Sequence, residues 1–349
     1  MFEYIGAIHI HSVFSDGSGE VKDILQYANE SGLDYIILTD HNTLRALHEG
    51  MEGWYGKTFL LVGCEINDKE NKNHYLALGI QKTISTRMPA LEYVKKVKDD
   101  GGIGFLAHPH EKRNSMKEHP PYPWTEWNSE DFTGIEIWNH MSEWMEGLTD
   151  QNKYNYFIHP LKSIVSPPRE TLEVWDKLNQ QRKVVGIGGV DAHAHKVNVF
   201  GFMEMEVFPY KVLFKSIHTH VLCDEELIPS IETHEINKVK KNIYKSLASG
   251  RCFISNYYYG EAKGFRYFAE DDKKNYQMGD LVPMSKNIKL SVIIPGQGGE
   301  TRLICNGNEI DRKTGINIDF FAKDKGVYRV EVFQDQNAWI FSNHIRIGV

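Results

Sequence analysis

His9 and His11 stand two residues apart in the apolar run Ile-His-Ile-His, and a strand turns residues i and i+2 to the same face. Two imidazoles on one face can grip a divalent ion. Asp16 follows in Ser-Asp-Gly, Asp40-His41 ends a second apolar run, and Glu65 closes Gly-Cys-Glu-Ile. His74 opens another run, His108 stands in Ala-His-Pro-His, and Asp191 and His193 repeat the i, i+2 spacing in Asp-Ala-His. A lone histidine is ordinarily a surface residue and a lone Asp-Gly a turn. Recurrence at the end of run after run separates this set from that background. The donors are imidazole and carboxylate without thiolate, which suits zinc, manganese or iron, and so many donors exceed the needs of one ion.

The elements that must hold these residues read as alternating strands and helices. Strands are expected at Ile5–His11, Tyr35–Thr39, Thr58–Ile66, His74–Ile80, Ile103–Ala107, Gly134–Trp138 and Val184–Val190. Helices are expected at Glu20–Ser31, Pro89–Asp100, Glu170–Arg182 and Asn237–Ser249. The pattern predicts an α/β fold with a parallel sheet, barrel or open, and such sheets carry their sites at the carboxyl ends of the strands. Glu118–Ser129, with three prolines and Tyr122, Trp124 and Trp127, reads as a stiff aromatic loop, either a wall over the site or a packed surface loop. After the charged stretch Asp271, Asp272, Lys273 and Lys274 the texture changes to alternating strands at Lys289–Ile294, Thr301–Cys305, Gly326–Phe333 and Trp339–Ile347. These predict a small antiparallel β domain over 271–349 following a first domain over 1–270.

The formal net charge of −7 over 349 residues gives none of the basic field that a nucleic-acid binder carries, so no nucleic acid polymer is expected as partner. A small anionic ester would find its positive charge in bound metal. Cys64, Cys223, Cys252 and Cys305 are far apart, which predicts neither disulfides nor a thiolate zinc site. No signal peptide or membrane span is read, and the expected location is cytoplasmic. Nothing in the sequence speaks to oligomeric state.

His9–Gly17 (His-Ile-His-Ser-Val-Phe-Ser-Asp-Gly), Leu38–Asn42, Gly63–Ile66, Ala107–Pro109 and Val190–His193 together resemble the PHP family, the polymerase and histidinol phosphatase superfamily, over roughly residues 1–270. The resemblance implies a distorted seven-stranded β/α barrel holding two to three divalent ions, zinc, manganese or iron, in a trinuclear centre. It implies that His9, His11, Glu65 and Asp191 hold one ion. Glu65 would bridge to a second with His74 and His108, and Asp16, His41 and His193 would hold the third. Ser249–Ser255, Met278–Asp280 and Trp339–Arg346 resemble the carbaryl hydrolase branch, which carries a small C-terminal antiparallel β-sandwich domain after the barrel.

Such a centre predicts hydrolysis by a metal-bridging hydroxide with no nucleophilic side chain. The leading expectation is a phosphoesterase acting on a small phosphorylated metabolite or nucleotide. A carboxyl-ester or carbamate hydrolase and a non-catalytic metal-binding module are the alternatives. His195, His110 and metal-bound water are candidate acids for the leaving group. Arg45 and Arg113 follow ligand motifs and read either as phosphate clamps or as surface cations. Glu136 and Asn139 end a strand near the expected mouth and would orient ligand histidines. His218 and His220 repeat His-x-His without a carboxylate in register and read as strand. Trp138, Trp144 and Tyr154 read as core, as does Cys64.

Overall fold

The computed structural model describes residues 1–115, 120–199, 203–272 and 274–349, and the side chains at 197–199 and 203–205 are not described. Glu118 and Lys273, named above, lie outside the described residues. Seven strands follow one another side by side: β1 (Phe2–Ile10), β2 (Tyr35–Leu38), β3 (Thr58–Ile66), β4 (Tyr75–Leu78), β5 (Ile103–Leu106), β6 (Gly134–Asn139) and β7 (Val185–Gly189). Every residue of β2, β3, β4, β6 and β7 is buried. That is why these strands read as continuous apolar runs rather than alternating ones.

The expectation of a wholly parallel sheet is corrected at one strand. β1, β2 and β3 are parallel, as are β5, β6 and β7, but β4 runs against both its neighbours. The connection over 67–74 is too short for the crossover that a parallel pair requires. Because β4 is reversed, its start lies at the end of the sheet where β3 finishes. That is where His74 stands. β7 returns to β1 through the Ile10–Ala192 bridge and backbone bonds from Val190 N to Ile8 O (2.9 Å) and His11 N to Ala192 O (3.0 Å). No continuous ladder joins β7 to β1 among the described residues, so the seven strands form an incompletely sealed ring.

The other edge of β1 pairs with β8 (Ile217–Cys223), and β8 pairs with β9 (Cys252–Asn256), both antiparallel. β10 (Arg266–Glu270), β11 (Ile288–Ile293), β12 (Gly299–Cys305), β13 (Asn317–Ala322), β14 (Gly326–Gln334) and β15 (Asn337–Ser342) complete the chain's main strands. β10, β11 and β13 form a separate antiparallel sheet, whereas β12, β14 and β15 join the first sheet where β15 pairs with β9. Tyr267, Leu290 and Phe320 from one layer meet Leu303, Val330 and Ile340 from the other in a shared apolar core. This is sandwich packing, with inward residues alternating along each strand.

Helices α1 (Val21–Glu30), α2 (Ala90–Asp99), α3 (His140–Gly147), α4 (Arg169–Gln181) and α5 (Thr233–Ser249) cover the sheet. α1 buries Val21, Ile24, Leu25 and Ala28 on one face, each larger side chain contributing about 1.5–3 kcal/mol. Gly32 ends it at φ +73° and Leu33 N returns to Ala28 O. α5 begins a turn before its expected start. α3 was not expected from periodicity; Asn139 caps it by accepting from Ser142 N at 2.8 Å.

A buried ionic cluster fastens the C-terminal strands to α4. Arg329 on β14 donates from Nε and Nη2 to Asp176 of α4 at 2.7 and 2.8 Å, and from Nη1 to Glu331 at 2.6 Å. His344 Nε2 lies 2.6 Å from Asp176 Oδ1. No helix among the described residues is long and apolar enough to cross a membrane. The four cysteines are free.

Candidate metal centre

The backbone leaves its ordinary conformations where the ligand candidates stand. His9 has φ +69°, His108 +28° and Asp191 +54°. The strained turn at His9 coincides with a register shift in the β1–β2 pairing, so strict alternation is broken there. A bulge re-aims a side chain beside a site. The His9 and His11 rings nevertheless converge, with centroids 5.2 Å apart.

Glu65 is the hub. Its Oε2 lies 3.1 Å from His9 Nε2, 3.2 Å from His11 Nε2 and 3.4 Å from His41 Nδ1. Its Oε1 lies 2.8 Å from His74 Nδ1 and 3.4 Å from His108 Nε2. Asp191 Oδ1 stands 3.3 Å from His9, 3.5 Å from His11 and 3.6 Å from His193. Asp16, its side chain 52% exposed, reaches His11, His41 and His193 at 3.4–3.8 Å and marks the open side. All nine candidates therefore come together. Their donor atoms fall into four overlapping sets, each within 4.8 Å: His11, Asp16, His41 and His193; His9, Glu65 and His108; His9, His11 and Asp191; and His41, Glu65 and His74. This grouping differs from the division the resemblance implies, because His41 faces both Asp16 and the Glu65–His74 pair.

The donors fit divalent metal. Nδ1 and Nε2 of His11, Nδ1 of His41, Nε2 of His74 and Nδ1 of His108 are buried without hydrogen-bond partners. Buried polar atoms are ordinarily satisfied, and the unbonded His11 Nε2 and His41 Nδ1 facing buried carboxylate are the pattern a cation completes. The electrostatics agree. Burial opposes a charge on His9 and His11, but the Asp191 and Glu65 carboxylates overcome it, holding His9 well above the usual imidazole range and His11 near 10. Burial would raise Glu65 and Asp191, yet the facing histidines keep both well below the carboxylate range. The pocket thus demands positive charge beside its acids.

Other side chains set the orientation. His9 Nδ1 lies 2.9 Å from Glu136 Oε1, and His108 N donates to Glu136 Oε2 at 2.8 Å. Asn139 Nδ2 donates to Glu136 at 2.9 Å and Asp191 at 3.2 Å. A carboxylate on the far nitrogen fixes the tautomer and plane of a ligand imidazole. Gly189 leaves room for it: a Cβ there would sit 1.8 Å from Glu136 Oε1. Replacing Glu136 with glutamine should weaken metal binding about 10–100-fold while the chain stays folded, read by calorimetric titration with zinc or manganese. Unchanged affinity would remove Glu136 from this role.

Two supports had little signal in the sequence. Asp40 accepts from Ser12 N, Ser12 Oγ and Ser15 Oγ, each at 2.7 Å, and fixes the loop carrying Asp16. The Tyr210 hydroxyl, from a distant segment, lies 2.7 Å from His11 O and 3.1 Å from His193 O. Neither contact leaves a local pattern, since the partners lie 25 or more residues apart.

The remaining candidates divide. His195, half-buried, stacks on His193 with centroids 4.7 Å apart and so adjoins the centre. His110 is held elsewhere: Nδ1 lies 3.0 Å from Thr171 Oγ1 and the ring stacks on Trp127 at 5.0 Å. Arg45 is 62% exposed and donates to Glu49 at 2.6 Å. Arg113 Nη2 donates to Glu111 at 2.7 Å. His218 and His220 lie in β8, where His220 is flanked by Glu3 and Ser255, each at 2.9 Å. Trp138 and Trp144 are buried, but Tyr154 is 56% exposed, which corrects its reading as core. It sits on a short helix, Lys153–Ile158, with no buried residue.

The profile of the PHP domain matches residues 7–278. The chain belongs to the PHP domain family. This PHP-domain chain is 28% identical over 116 residues to Uncharacterized protein MJ1587 of Methanocaldococcus jannaschii, covering 30% of this chain and 66% of that one, slightly under two thirds of the relative. Among solved structures it is similar to a two-domain protein of Bacteroides vulgatus containing a predicted PHP-like metal-dependent phosphoesterase, at 15% identity and TM-score 0.45 over 98% of this chain and 95% of that one. A candidate metal-dependent phosphoesterase of Bifidobacterium adolescentis gives 16% identity and TM-score 0.32 over 57% of this chain and 92% of that one. An amidohydrolase of Chromobacterium violaceum with bound sulfate and no metal gives 13% and 0.33 over 54% and 87%.

Proposed function

We propose that this PHP-domain chain is a metal-dependent phosphoesterase acting on a small phosphorylated metabolite or nucleotide, with His9, His11, Asp16, His41, Glu65, His74, His108, Asp191 and His193 as metal ligands. The observation that carries the reading is the gathering of five imidazoles within 3.4 Å of the buried Glu65, with His11 Nε2 and His41 Nδ1 facing it unbonded. Divalent ions, if held by these residues, would activate a water and neutralise charge on the ester oxygens. Glu65 and Asp191 hold the charge that retains the cations, and Glu136 and Asn139 hold the imidazoles in place. Asp16 lies on the exposed side, so substrate approaches past it. Arg45 and Arg113 are paired with glutamates, so contact with the phosphate would fall to the metal-binding residues and their ions rather than to an arginine clamp. His195, beside His193, is the better placed of the two candidate acids.

A panel of phosphomonoesters, phosphodiesters, aryl carboxyl esters and carbamates, assayed with manganese, zinc and iron, tests this. Metal-dependent release of phosphate or alcohol from a phosphoester is the expected result. Turnover of carboxyl esters or carbamates without phosphoester turnover would overturn the substrate class. Tight metal binding with no turnover on any member would indicate a binding module.

A further inference from the structure

Each ligand imidazole needs something to choose its ring plane, because the terminal torsion of histidine is broad. Glu136 does this for His9, and the Asp191 carbonyl, 3.0 Å from Nδ1, does it for His193. On His74 the nitrogen turned away from Glu65 has no such partner among the described residues. The ring's Nδ1 faces Glu65 and its Nε2 is buried and unbonded. What lies against it is the face of Tyr122, with centroids 5.0 Å apart and planes inclined by 10°. The Arg113 guanidinium lies over the Tyr122 ring, 5.1 Å from its centroid.

The loop that carries Tyr122 is fastened on both flanks of the His74–His108 pair. On one flank, Tyr122 N donates to Glu111 Oε2 at 2.7 Å. Glu111 is buried, three residues beyond His108, and its Oε1 accepts from Ser142 Oγ at 3.0 Å and from Arg113 at 2.7 Å. On the other flank, Thr125 N and Oγ1 donate to Asn73 Oδ1 at 2.7 and 3.0 Å, and Asn73 immediately precedes His74. The loop therefore joins the residue before one ligand to the residue three beyond another.

We propose that Tyr122 is a positioning residue for His74, and that metal binding at the His74 side of the centre is coupled to docking of the loop over residues 120–127. The inference rests on the metal-binding part of the proposed function and not on the ester chosen as substrate. Coupling of this kind is reciprocal: a docked loop strengthens the metal, and the metal holds the loop down by the same factor. The phenyl ring supplies the flat surface, so phenylalanine suffices and alanine does not.

The test compares wild type, Tyr122→Ala and Tyr122→Phe by calorimetric titration with zinc. Hydrogen exchange of the peptide 120–127 is measured with and without zinc in parallel. Tyr122→Ala is expected to weaken one class of sites about 10–100-fold and leave the others unchanged, as loss of an orienting contact does. Tyr122→Phe is expected to titrate like wild type. Zinc should slow exchange in wild type and have a much smaller effect in Tyr122→Ala. Should Tyr122→Ala fail to fold, Thr125→Val, which removes one bond to Asn73, is expected to weaken the same class of sites by a smaller factor. Alanine and wild type titrating alike, or exchange over 120–127 indifferent to zinc, would overturn the proposal. A wild-type protein that binds no zinc, manganese or iron would instead overturn the metal reading itself.

Discussion

A Glu65→Gln protein is expected to lose both its metal and its turnover. Glu65 lies within 3.4 Å of five histidines, more than any other ligand candidate reaches. Glutamine keeps the shape but removes the charge that draws a cation into a fully buried position. The loss of turnover should be on the order of 10³-fold or more, because the stabilisation removed acts where charge develops and water is excluded. Metal content by elemental analysis should fall alongside it. The far-ultraviolet circular dichroism should stay that of the wild type, since Glu65 sits at the end of β3 and the apolar strand beneath it is untouched. Retained metal with retained turnover would remove Glu65 from the centre.

The second large effect is expected far from the site. Arg329→Met should destabilise the fold by about 3–5 kcal/mol, because Asp176 and Glu331 would be left buried without a counter-charge. For a chain of this size that is a fall of roughly 4–7 °C in Tm. Replacing Arg329, Asp176 and Glu331 together by apolar residues should recover most of the loss, since a missing cluster is less harmful than a broken one. The cluster also gives stability an acid limb. Burial alone would raise Asp176, but Arg329 and then His344 hold its carboxyl well below the usual range. A group depressed in the folded state contributes stability above its unfolded pKa of about 3.9, and that stability is lost as pH falls through the folded value. Urea denaturation between pH 3 and 6 should therefore show a steeper acid loss in wild type than in the apolar triple variant. Equal slopes would count against it.

Much of the centre could be read from the sequence because strands make chemistry periodic. His9 and His11, then Asp191 and His193, announce a shared face by spacing alone, and buried parallel strands leave unbroken apolar runs that locate their own ends. The direction of β4 could not be read in this way. An apolar run looks the same in either sense, and only the short connection before it decides. The joining of β15 to β9 was hidden for a related reason, since pairing between distant strands leaves no local pattern. Arg45 and Arg113 were the opposite case: Glu49 and Glu111 stood within four residues of them in the sequence, and local ion pairs claimed both. His110 was lost to a long-range partner, Thr171 of α4. Tyr154 failed as core because an aromatic residue on a six-residue helix has no buried stripe to join.

The left-handed backbone at His9, His108 and Asp191 bears on how such a protein changes over generations. Each of these positions would suit glycine better than the residue it holds, and each strained residue is destabilising by about 1–3 kcal/mol. Under the proposed function, ligand placement therefore opposes backbone stability at three points in the same few ångströms. A lineage without demand for turnover could relieve that strain only by clearing the buried cluster together, since removing one partner leaves the others unpaired. Descendants of that kind would keep the strands of both sheets and carry glycine at these three positions.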